Sequence, residues 1–123
     1  MKRVILLEDD TLLAIVQKKM LITLGYDVIE TSASGEEGLD KIKFLKPDIV
    51  VSDQNLTGSM KGLDVVEALR EENNNTPVLI LSGDTTSEHL KQASIYSNVQ
   101  PLAKPVKVKD LKDMLLVAEN SVN

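Results

Sequence analysis

Val4-Ile5-Leu6-Leu7-Glu8-Asp9-Asp10 sets four apolar, strand-forming residues directly against three acids. A strand with no polar residue on either side of its pleat is one covered on both faces, as the central strands of parallel sheets are. Working outward, the same shape returns twice. Ile49-Val50-Val51-Ser52 runs into Asp53, and Val78-Leu79-Ile80-Leu81-Ser82 runs into Gly83. Helical stretches separate these runs, and strands alternating with helices predict an α/β domain around a parallel sheet.

The intervening segments complete five such β-α units. Leu13, Val16, Met20 and Leu24, spaced by three, four and four, predict the buried face of a first helix, which leaves Leu12 and Ile15 turned outward. Gly25 ends that helix. Asp27-Val28-Ile29-Glu30-Thr31 is a shorter, more polar strand, and Ser34 with Glu37 opens a second helix that stops before Pro47. A third helix is expected from about Gly62 to Glu72, followed by the polar turn Asn73-Asn74-Asn75. Thr85 with Glu88 opens a fourth, carrying Leu90 and Ala93. A fifth strand near Val99–Ala103 precedes a last helix with Leu111, Met114, Leu115 and Ala118. The polar second strand and the Pro101-bearing fifth read as sheet edges, because proline cannot donate to a ladder. Edges at those positions fit the order 2-1-3-4-5 with right-handed crossovers, the flavodoxin-like doubly wound plan.

Composition narrows the class. The 123 residues suit one domain spanning residues 1–123, with 120–123 expected to fray. A net charge of −5 speaks against a nucleic-acid face, which calls for a basic stripe. Without cysteine there is no disulfide framework and no thiolate metal site. The apolar run after Met1-Lys2-Arg3 is too short for a signal peptide or a membrane span, so a cytoplasmic domain is expected. The lone His89 reads as a solvated surface residue.

The strand ends carry the chemistry. Residues just past the carboxyl ends of neighbouring strands in an open parallel sheet converge on one crevice. Glu8, Asp9 and Asp53 brought together there repel one another unless a cation joins them. A few hard oxygen donors, with room for water and phosphate, suit Mg²⁺. Each piece alone is weak: an acidic pair after a strand is often a solvated loop, and Asp53 or Ser82-Gly83 alone could belong to a turn. Lys104-Pro105, at the end of a further strand, completes a constellation of four strand ends.

Taken together, Glu8-Asp9, Asp53, Ser82-Gly83 and Lys104-Pro105 resemble the receiver domain of two-component response regulators, the CheY-like family, over essentially the whole chain. The resemblance implies that Asp53 accepts a phosphoryl group from a phosphohistidine of a histidine kinase or a histidine phosphotransfer protein. It implies that Glu8, Asp9, Asp53 and the backbone carbonyl of Asn55 hold Mg²⁺, with Asp10 a neighbour rather than a ligand. Lys104 and the Ser82 hydroxyl would meet the phosphoryl oxygens, with Gly83 leaving space beside them. The Lys104-Pro105 bond is expected to be cis, as in the family. Asn55 and Asp84 would flank the water that hydrolyses the phosphate, and Leu12 and Ile15 would dock the partner. The domain would be a switch catalysing its own phosphorylation and dephosphorylation rather than an enzyme acting on an external substrate. Neither nucleic acid nor membrane is expected as a direct partner.

The chain departs from the family pattern in two places. The loop from Asp53 to Gly62 is one residue longer than usual and has Thr57 where receivers commonly carry proline, so a looser loop is expected. Pro101 stands three residues before the lysine, where the family usually carries Tyr or Phe, and has no ring to swing during switching. Two rival readings are a degenerate receiver serving only as a binding module and a Mg²⁺-dependent aspartyl-phosphate phosphohydrolase. The intact acids and Lys104 count against the first. Asn55, where the second usually has an aspartate acid/base, counts against the other.

Overall fold

The computed structural model describes residues 1–83 and 87–120. Five strands, β1 (Arg3–Leu7), β2 (Asp27–Ser32), β3 (Ile49–Asp53), β4 (Val78–Ser82) and β5 (Val99–Ala103), form one parallel sheet in the order β2-β1-β3-β4-β5. The helices are α1 (Thr11–Thr23), α2 (Gly35–Leu45), α3 (Gly62–Glu71), α4 (Ser87–Ser94) and α5 (Val108–Asn120). This is the doubly wound arrangement expected, with the polar second strand and the proline-bearing fifth at the edges.

Strand alternation divides the core in two. Ile5 and Leu7 of β1 face one layer with Val50, Val78 and Ile80, which α2 and α3 cover through Ile42, Val65, Val66 and Leu69. Val4 and Leu6 face the other with Val51, Leu79 and Leu81, which α1 and α5 cover through Leu21, Leu111 and Leu115. Every residue of β3 and β4 is buried, which is why these runs contain no alternation of apolar and polar residues.

Local signals placed most boundaries. Gly25 takes φ +94° just past α1, a conformation that a residue with a Cβ adopts only under strain. Ser34 Oγ accepts from the Glu37 backbone N–H at 3.2 Å, although the Glu37 carboxylate pairs with Lys41 at 2.9 Å. The expected Thr85 cap, the side chains of His89 and Leu90, and residues 121–123 lie outside the described residues.

The inward face of α1 differs from the expectation. Gln17 and Leu21 are buried and Ala14, Met20 and Leu24 half-buried, whereas Leu13 and Val16 are 39% and 46% exposed. The helix is apolar on nearly every side, so several spacings of its apolar residues were compatible with a helical face. The stripe that packs is Ala14, Gln17, Leu21 and Leu24, with a polar residue within it.

The β3–α3 loop is also held more firmly than its length suggested. Thr57 N–H donates to the Ala33 carbonyl at 3.1 Å, and Met60 N–H donates to Glu36 Oε1 at 3.1 Å. Gln54 closes the far end, accepting from Gly62 N–H through its carbonyl and from Leu63 N–H through its side chain, both at 2.9 Å. A Cβ at Gly62 would come within 2.6 Å of the Asp53 carbonyl, so only glycine allows that approach. Among the described residues no helix is long and apolar enough to cross a membrane.

Candidate functional site

Parallel pairing aligns the strand ends. Leu7 stands opposite Ser52, Asp53 opposite Leu81 and Ser82 opposite Ala103, so Glu8, Asp53, Ser82 and Lys104 emerge along one rim. Glu8 N–H donates to Ser32 O at 2.9 Å, which carries the ladder one residue past β1. Lys104 N–H donates to Ser82 O at 2.9 Å and does the same for β5. The Lys104-Pro105 peptide bond is cis.

Charge crowds this rim. Glu8 and Asp53 are both 4% exposed, while Asp9 lies open to solvent. Carboxylate oxygens of the three lie within 4.8 Å of one another. Oxygens bound to one Mg²⁺ at its usual bond length stand about 3–4 Å apart. The trio therefore fits a small hard cation after a slight contraction, and exposed Asp9 leaves a side open to water. The Asp10 side chain caps α1 by accepting from Leu13 N–H at 3.1 Å.

Lys104 is the cation facing these acids. Its Nζ lies 2.8 Å from Asp53 Oδ2 and 3.4 Å from Glu8 Oε1. Burial lowers the lysine pKa, but the hydrogen bond to Asp53 and the charges of Asp53 and Glu8 outweigh it, and the net direction is upward. Burial, and next the adjoining Asp53, push the Glu8 carboxyl above its ordinary range, against the Gln17 hydrogen bond that favours its charged form. The other Asp53 oxygen, Oδ1, accepts from Asn55 N–H at 3.3 Å.

The remaining expected residues divide by place. Ser82 is buried at the end of β4, and Gly83 is exposed, with nothing among the described residues within 4 Å of a Cβ built there. Asn55 is exposed beside Asp53. Asp84 lies outside the described residues. Leu12 and Ile15 are 70% and 61% exposed on α1, joined on its surface by Leu13 and Val16. An open cleft of about 660 Å³ lies elsewhere, at the amino end of the sheet. It is lined by loop asparagines and by Lys2, Lys43 and Lys46 set against Asp48, Glu72 and Glu119, so no single charge converges there.

Sequence reasoning missed Gln17, whose Nε2 donates to Glu8 Oε1 at 2.9 Å. A lone amide within an apolar helix, nine residues after Glu8, was the available signal.

The sequence model of the response regulator receiver domain matches residues 4–116. The cell cycle transcriptional regulator CtrA of Caulobacter vibrioides is 42% identical over 83 residues, covering 68% of this chain and 35% of that protein. The probable C4-dicarboxylate response regulator DctR of Halalkalibacterium halodurans is 28% identical over 92% of this chain and 49% of its own length. These alignments thus span between a third and a half of each curated relative. Among solved structures, the chemotaxis response regulator CheY4 of Vibrio cholerae superposes with a TM-score of 0.85 at 28% identity, covering 96% of this chain and 98% of that one.

Proposed function

Since the chain belongs to the response regulator receiver domain family, we propose that residues 1–123 form a single receiver in which Asp53 is the phosphoacceptor. The observation that carries this reading is the setting of Asp53: a buried carboxylate at a central strand end, 2.8 Å from Lys104 and beside Glu8 and Asp9. One Asp53 oxygen attacks the phosphorus of a phosphohistidine. An acyl–phosphate bond forms, the phosphorus–nitrogen bond breaks, and the imidazole leaves.

The surrounding residues do positioning and electrostatic work, which is most of what phosphoryl transfer requires. Lys104, kept protonated by its acidic partners, offers its ammonium to a phosphoryl oxygen, and the Ser82 hydroxyl donates to another. Gly83 leaves the approach clear. Glu8, Asp9, Asp53 and the Asn55 carbonyl would hold Mg²⁺, which when bound neutralises charge on the transferred group. Asn55, exposed beside Asp53, and Asp84 would orient the hydrolytic water, so the phosphate is removed by the domain that carries it. In this reading the chain acts on no external substrate.

The phosphodonor is a histidine kinase or a histidine phosphotransfer protein in the cytoplasm, the compartment usual for this family. Leu12 and Ile15, apolar and exposed on the helix that starts at the acidic rim, provide its docking surface. The net charge of −5 supports a protein partner over nucleic acid or an anionic membrane.

Two donors separate these roles. With Mg²⁺ and acetyl phosphate the chain should gain one phosphate by intact-mass measurement, and Asp53→Asn should gain none from either acetyl phosphate or the partner kinase. Ile15→Glu should be labelled normally by acetyl phosphate and about tenfold more slowly by the kinase. Labelling of Asp53→Asn at the wild-type rate would move the acceptor elsewhere, and equal slowing of Ile15→Glu with both donors would remove the docking role.

A further inference from the structure

Gln17 is a polar residue in a place that apolar residues fill elsewhere on α1. It is 4% exposed, and it packs on the sheet in the same stripe as Leu21. Its Nε2 donates to Glu8 Oε1 at 2.9 Å, while its Oε1 is buried with no hydrogen-bond partner among the described residues. A buried carbonyl oxygen without a donor lowers stability. An apolar side chain of the same length would fill the space without that cost, so the value of the amide lies in its bond to Glu8.

Glu8 has a particular need of such a bond. Glutamate carries its carboxylate on one more methylene than aspartate, and an additional torsion must be held. Lys104 lies between the two buried acids, nearer Asp53 Oδ2 at 2.8 Å than Glu8 Oε1 at 3.4 Å. An unrestrained Glu8 could close on the ammonium, drawing it away from Asp53 and removing its own carboxylate from the acidic cluster. A neutral donor on Oε1 prevents this without adding a second cation to compete with a metal. Glu8 Oε2 accepts from the Asp10 N–H at a longer 3.3 Å.

We infer that Gln17 is a positioning residue for the metal site: its amide holds Glu8 against α1, so that Lys104 stays with Asp53 and Glu8 remains available to the cation. The inference rests on the Mg²⁺ reading proposed above. Partners that orient a metal ligand in this way typically govern ten- to hundredfold of metal affinity.

The test is calorimetric titration of MgCl₂ into the unphosphorylated chain, with thermal melting in chelator alongside. Gln17→Met, similar in length but without the amide, should bind Mg²⁺ about tenfold more weakly, a change of about 1.4 kcal/mol. It should melt at or above the wild-type temperature, because the unpartnered oxygen is gone. In a Glu8→Asp background, where the shorter acid withdraws from Gln17, the same substitution should change affinity by less than about twofold. Wild-type affinity in Gln17→Met, or an equal loss in both backgrounds, overturns the inference and leaves Gln17 a packing residue. If Gln17→Met does not fold, Gln17→Leu is judged by the same two results. Absence of Mg²⁺ binding by the unaltered chain would instead overturn the metal reading beneath it.

Discussion

The two ends of the sheet handle charge in opposite ways. At the amino end, Arg70 is surrounded by acceptors: its guanidinium donates to the carbonyls of Ser97, Asn74, Thr76 and Asn98 at 2.8–3.3 Å. It thereby ties the α3–β4 loop to the α4–β5 loop, and Asp48 adds a 2.7 Å bond from the Arg3 N–H. At the carboxyl end, three carboxylates crowd together, and two of them, Glu8 and Asp53, share Lys104. Burial and Asp53 push the Glu8 carboxyl above its ordinary pKa. One end satisfies its polar groups and adds stability. The other keeps like charges together, which costs stability but, on the function proposed above, leaves a place for a cation and a phosphoryl group. The strands, rigid and buried between them, allow both in one small molecule.

The largest expected effect tests the amino end. Arg70→Met removes four charge-assisted bonds, three of them partly buried, and should destabilise the chain by about 3 kcal/mol in urea unfolding. Acetyl phosphate labelling below the transition should be unchanged. If Arg70→Met melts like wild type, the loops are held by their own packing and the contrast between the ends weakens.

Next comes the carboxyl end. Asp9→Ala takes an exposed carboxylate from the cluster and should weaken Mg²⁺ at least tenfold by calorimetry, roughly 1.4 kcal/mol or more. The melting temperature without metal should hold or rise, since a repelling charge is gone. Unchanged Mg²⁺ affinity would place the cation away from these residues.

A change of about 1 kcal/mol, with the opposite sign from the Arg70 change, is expected for Glu8→Gln in metal-free buffer. The amide keeps the shape of Glu8 but removes a buried charge beside Asp53. The pH dependence follows from the direction of the Glu8 shift. Its folded pKa lies above the ordinary 4.5, so its stabilising contribution is fully present below 4.5 and is lost as pH rises through the folded value. Glu8→Gln should flatten that part of the stability curve above pH 4.5 in chelator, measured by thermal melts. A curve of wild-type steepness would show that other groups set the slope.

The smallest effect concerns the lifetime of the acyl phosphate. Asn55→Met should lengthen it about threefold without preventing its formation, because in the proposed mechanism the amide that orients water is replaced by an apolar chain. Decay followed by mass after removal of acetyl phosphate measures it; an unchanged lifetime would assign water placement to another residue.

Comparison of α1 with the strand ends shows why legibility varied. The acids and the lysine were readable because each follows a strand directly, and a parallel sheet brings strand ends together whatever the loops do. Ser34 and Gly25 were readable because caps and left-handed turns are local. On α1, apolar residues occupy most of the circumference, so Leu13 and Val16 fitted a helical stripe as well as Ala14 and Leu21 did. The β3–α3 loop was misjudged for a related reason: its length is local, but its ties to Ala33 and Glu36 come from residues more than twenty positions earlier.

By itself the sequence determined the order of elements, the central and edge strands, and the meeting of Glu8, Asp9, Asp53 and Lys104 at one rim. These follow from short-range spacing and from the geometry common to every parallel sheet. Only the tertiary structure decided which side of α1 turns inward, that Gln17 bonds to Glu8, that Lys104 sits nearer Asp53 than Glu8, and that Arg70 joins two loops. Each of those is a choice among competing partners. The choice depends on distances of a few tenths of an ångström between side chains that are far apart in the chain, and spacing along the chain carries no record of such distances.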